Sequence, residues 1–117
     1  MGLDMMLIHD GNEVAYWRKA NAIHHWFVYN VQDCVDDCGE YKVTENQLIK
    51  LYNTCNEVLN DHSLAKSLLP TKSGFFFGGT DYNDEYFNYV ENTKRIIDEI
   101  LEYKSDCLDD LYYSSSW

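Results

Sequence analysis

A chain of 117 residues carrying twenty Asp and Glu against nine Lys and Arg has a formal net charge of −11. A field of that sign repels nucleic-acid phosphates and anionic membranes, which disfavours direct binding to either and favours a basic protein or a cation as partner. The length suits one domain spanning residues 1–117, and no apolar run approaches the ~20 residues of a membrane span.

Residues 4–8 predict a short apolar strand, followed by the turn cluster His9, Asp10, Gly11 and Asn12. Residues 12–32, NEVAYWRKANAIHHWFVYNVQ, read as the central helix. At 3.6 residues per turn, Tyr16, Trp17, Ala20, Ile23, His24, Phe27, Val28 and Val31 share one arc. Asn12 is placed to cap it, and Glu13 suits the positive end of its dipole. The next ten residues, QDCVDDCGEY, concentrate Asp33, Cys34, Asp36, Asp37, Cys38 and Glu40 around the chain-turning Gly39, and form the most chemically loaded loop of the chain.

Thr44 with Gln47 three residues on has the form of a capping box, and a second amphipathic helix is expected over 44–60, with Cys55 on its apolar face as a small core residue. A short helical turn over 63–69 is stopped by Pro70. The glycine-bracketed aromatic run over 73–77 is rich in β-formers, and is read as the strand that pairs with 4–8. A third helix over 81–104, capped by Thr80 or Asp81, precedes an acidic and then aromatic, serine-rich tail whose last few residues are expected to fray, although Leu108, Leu111 and Trp117 could dock on a neighbour. The fold class expected is therefore α+β and mostly helical, with three main helices and a small sheet of two or three strands.

The chemistry-bearing residues fall in two groups. His24, Cys34 and Cys38 are candidate ligands of a structural Zn2+, because C-x3-C has the spacing of a zinc ligand pair and the loop can fold back beside the helix. His25, His9, Cys107, Asp33, Asp36 or Asp37 could complete the shell. The chain lacks a secretory apolar segment, since Met5 to Ile8 is too short and is flanked by Asp4 and His9, so its thiols are expected to stay reduced in a cytoplasm. No motif of a hydrolase is present, and a thiol with the His24 imidazole would further need an orienting group and an oxyanion site, so no catalytic residue is assigned. The second group is a partner-binding surface: Asp36, Asp37, Glu99, Glu102, Asp106, Asp109 and Asp110 would meet a basic groove, and Tyr112, Tyr113 and Trp117 would anchor the contact.

The strings MGLDM, YWRKANAIHHWFVYNVQD, DDCGEY and LLPTKSGFFFG resemble small proteins encoded by bacteriophages and prophages. The resemblance implies an inhibitor of host defence in the bacterial cytoplasm, of the anti-CRISPR class acting on a type II effector nuclease. It carries no ligand set or inhibitory motif residue by residue. The alternative is a small-ligand-binding protein or small metal-dependent enzyme using the region of His24, Cys34 and Cys38, which requires a concave pocket.

Overall fold

The computed structural model describes residues 2–74 and 77–117. Asp10 and Gly11 hold φ of 51° and 77°, the two positive values of a type I′ turn, whose twist matches that of the strands it joins. The turn connects β1 (Asp4–His9) to β2 (Asn12–Arg18) as an antiparallel hairpin, with His9 opposite Asn12 and Met5 opposite Trp17. The expected helix over 12–32 is thereby corrected: its first part is a strand, and α1 spans Asn21–Asn30. The chain changes course at Lys19, whose φ is 55° and whose N–H donates to the Leu3 carbonyl at 2.7 Å. A left-handed residue there cannot belong to a continuous right-handed helix. Pairing with β1 buries Trp17, whose Nε1–H donates to Thr93 Oγ1 at 2.8 Å, and leaves Tyr16 on the exposed side.

On its other edge β1 pairs antiparallel with β4 (Leu111–Ser116), and β4 pairs with β3 (Glu40–Val43), giving the order β2-β1-β4-β3. The protein is α+β, but among the described residues the expected three main helices and sheet of two or three strands give way to four α-helices, two 3-10 segments and an antiparallel sheet of four strands. The neighbours of β1 are β2 and β4; of the expected partner strand over 73–77, Ser73, Gly74 and Phe77 lie in no strand, and Phe75 and Phe76 fall outside the described residues. The tail, whose last few residues are expected to fray, supplies a central strand that runs to Ser116. Its pattern explains why, since Leu111, Tyr113 and Ser115 are buried while Tyr112 and Ser114 are half-buried, which is the period-2 alternation of a strand with one face on a core.

The remaining helices follow local signals more closely. Thr44 and Gln47 form the capping box of α2 (Glu45–Asn60), each side chain bonding the other's backbone N–H. A 3-10 turn, His62–Leu64, leads into the single turn α3 (Ala65–Leu68), and Pro70 follows. The long helix α4 (Asp84–Tyr103) is capped by Asn83 rather than by Thr80 or Asp81, and runs on to a 3-10 segment, Ser105–Asp110. One cluster unites Met5, Leu7 and Tyr113 of the sheet with Phe27 of α1, Leu51 and Cys55 of α2 and Val90 and Ile97 of α4. Cys55 is fully buried, as its place on the apolar stripe implied, and burial pushes its thiol pKa up to about 12. Among the described residues no helix is long and apolar enough to cross a membrane.

Candidate functional site

The end of α1 turns sharply. Gln32 N–H donates to the Phe27 carbonyl at 3.0 Å and Cys34 N–H to that of Val28 at 2.8 Å, with Asp33 and Cys34 in left-handed backbone. This reversal carries Asp36 back to His24, whose Nε2 lies 3.0 Å from both carboxylate oxygens. On the other side of the ring, Nδ1 lies 2.6 Å from the Tyr113 hydroxyl delivered by β4. A carboxylate only accepts, so Nε2 carries the proton, and Nδ1 accepts from Tyr113. Trp117 Nε1–H donates to the same carboxylate at 3.1 Å and closes a chain of four side chains from three separate segments.

The surroundings are aromatic. Phe27 stacks on Tyr113 with ring centres 3.9 Å apart, and Phe77 meets His24 edge-on at 5.4 Å. Burial lowers the pKa of His24, an effect that the charge and hydrogen bond of Asp36 partly offset, so the ring is neutral at pH 7. Burial drives the Tyr113 hydroxyl well above the ordinary phenol value.

This geometry bears directly on the candidate ligands. Both ring nitrogens of His24 are engaged, and Cys34 and Cys38 are exposed free thiols. Among the described residues no group of three His, Cys, Asp or Glu side chains is gathered as a metal shell. The loop folds back beside the helix, but it presents Asp36 to His24 in place of the two thiols. To ligate a metal, His24 would have to leave Asp36 or Tyr113. Nor does His24 keep a free nitrogen for a thiol proton, although Cys34 and His24 line one hollow of about 300 Å3.

The acidic residues of the two loops that flank β4 lie near its opposite ends, about 17 Å apart at the rise of a six-residue strand. Asp33, Asp36, Asp37 and Glu40 lie near its Trp117 end. Asp37 accepts from Tyr41 Oη at 2.7 Å and from Gly39 N–H at 3.0 Å, and these bonds hold its carboxyl below the usual range. At the other end, the 3-10 segment brings Asp106, Asp109 and Asp110 beside the hairpin turn, where the Asp110 carbonyl meets His9 Nδ1 at 3.0 Å. Lys104 Nζ donates to the Val14 carbonyl at 3.3 Å and lies 3.7 Å from Glu99 Oε1, which ties the end of α4 and Glu99 to the same region, whereas Asp98 lines the groove between α2 and α4 beside Lys94 and Arg95. Asp10 and Glu13 of the hairpin belong to the turn-end region.

Every acidic side chain except Asp4 and Asp36 is exposed, and among the described residues only Asp4 and Glu99 enter ion pairs, the neutral His24 giving Asp36 a hydrogen bond instead. Asp98, Glu99 and Glu102 also sit at the negative end of the α4 dipole, where carboxylates are unfavourable.

The expected aromatic anchors fare differently. Tyr113 is fully buried and cannot touch a partner, Tyr112 is half-buried, and Trp117 is 45% exposed but belongs to the other end of β4. Tyr103, the last residue of α4, is 80% exposed next to Glu102 in the chain, and reading the α4 stripe for its core face alone passes over it. Inward and outward assignment in residues 111–117 needed the strand, which the tail's composition did not announce. No family model, no curated protein and no solved structure matches this chain.

Proposed function

We propose that this protein is a stoichiometric inhibitor that binds the basic, nucleic-acid-holding surface of another protein, through the carboxylates clustered at the hairpin-turn end of its sheet. The observation that supports this reading is the exposure of Glu99, Glu102, Asp106, Asp109 and Asp110, with one ion pair among them, on a scaffold of packed strands and helix ends. Like charges held together on a folded surface repel one another and the helix dipole, and a basic partner relieves that repulsion. Such a surface speeds encounter with a groove built for phosphate, while Tyr103 supplies the apolar contact that slows dissociation. The resemblance to phage proteins makes a type II CRISPR effector nuclease the first partner to test.

Cleavage by a reconstituted effector, titrated with the protein, falls to zero near one equivalent on this reading. Asp109→Lys with Asp110→Lys weakens inhibition, and more so at low than at high salt, because exposed charges act within a Debye length of about 8 Å at physiological salt. Undiminished cleavage across a panel of effectors, with no complex on a sizing column, overturns the proposal.

A further inference from the structure

The core lies against one face of the sheet and leaves the other open. Met5, Leu7, Leu111 and Tyr113 join the core, so the alternate residues of β1 and β4 point away from it. Among the described residues, Met6, Ile8, Tyr16 and Tyr112 neither belong to the core cluster nor pack against it. An antiparallel sheet with one face in water usually carries polar side chains there. Here two of the three outward residues of β1 are apolar; Met6, Ile8 and Tyr112 are only half-buried, and Tyr16 is 46% exposed.

The register orders the charges on this face. Ile8 pairs with Glu13 on one side and Tyr112 on the other, and Tyr112 pairs with Lys42, which sets Glu13, Ile8, Tyr112 and Lys42 side by side across all four strands. Glu13 and Lys42 are both exposed and stand about 14 Å apart, three strand spacings, too far to pair within one molecule. In the neighbouring rows Asp4 is held by Arg18 at 3.0 Å, and Glu40 lies beside Ser114. Three carboxylates, Asp4, Glu13 and Glu40, against two cations, Arg18 and Lys42, leave this face at −1 in a molecule of −11.

We propose that the open face is the interface of a homodimer. A second copy, turned about a two-fold axis that runs along the strands between β1 and β4, meets the row in reverse order. Glu13 of each copy then faces Lys42 of the other and Ile8 faces Tyr112, an apolar centre flanked by two ion pairs. The excess charge elsewhere repels a second copy, whereas here both signs stand in self-complementary order; a basic partner gains little from a face so nearly neutral. The face measures about 19 Å across four strands and about 20 Å along six residues, so the two copies bury on the order of 800 Å2 together, the range of a weak, reversible pair. None of Glu99, Glu102, Asp106, Asp109 and Asp110 takes part, and neither this reading nor that of the inhibitor depends on the other.

The test is sedimentation equilibrium of the full chain with its thiols kept reduced. The weight-average mass rises from 13.8 kDa towards twice that value between about 10 μM and about 1 mM. Ile8→Lys abolishes the rise while the circular dichroism spectrum stays that of the parent. Lys42→Glu and Glu13→Lys each weaken the dimer about tenfold by setting like charges together at two symmetric places, and the two combined in one chain restore it. Glu13→Lys alone also reduces the net negative charge, so bulk repulsion, were it in control, would make that variant dimerise more tightly. A mass of 13.8 kDa at every concentration, a dimer that Ile8→Lys leaves intact, or a double variant no tighter than the single ones each overturn the proposal.

Discussion

Replacing Tyr113 by Phe removes one oxygen from the centre of the molecule and leaves its packing on Phe27 in place. The ring stack at 3.9 Å persists, so the change isolates the hydrogen bond to His24. His24 is 1% exposed, and once the hydroxyl is gone its Nδ1 is a buried acceptor with no donor. Stranding such a group costs about 1–3 kcal/mol. At this chain length each kcal/mol lowers Tm by about 4 °C, so Tyr113→Phe should melt about 4–12 °C below the parent in a reversible thermal scan. The same argument fixes the tautomer, and long-range proton–nitrogen NMR spectra of the parent should show the proton on His24 Nε2, facing Asp36. A Tm within about 1 °C of the parent, below the cost of a stranded acceptor, or a spectrum with the proton on Nδ1, would refute the reasoning.

Two further outcomes follow from the same geometry and from the hairpin. The folded-state pKa of His24 is lowered from 6.5, so the unfolded chain binds more protons below that value, and stability should fall as pH drops below about 6.5 and through the folded pKa; a His24→Gln variant should show a flatter Tm profile in that window. Gly11→Ala places a side chain at a φ of 77° with no atom within 4 Å to clash, so only the backbone resists, and the urea midpoint should drop by the equivalent of about 1–2 kcal/mol with an unchanged slope.

Some of this architecture is written locally. The capping box at Thr44 and Gln47 and the apolar stripe of Leu48, Leu51, Cys55 and Val58 specify α2 within a few turns, and α4 likewise needs only its own periodicity and a cap. The excess of carboxylates is a property of composition. Residues 12–18 are different, because Tyr16 and Trp17 satisfy a helical arc as well as a strand. Asp10 and Gly11 were the signal for the hairpin, and pairing with β1 decided it. The tail from Leu111 onwards becomes a strand only because β1 and β3, about a hundred and about seventy residues earlier in the chain by their pairing, leave a gap whose hydrogen bonds it completes. That step buries Tyr113 against His24, brings Trp117 to Asp36 and sets Asp110 beside His9 at the other end of β4. Composition and period determined how much charge this chain carries and where α2 and α4 lie; long-range strand pairing, which no local pattern encodes, decided which histidine nitrogen, carboxylate and aromatic ring meet.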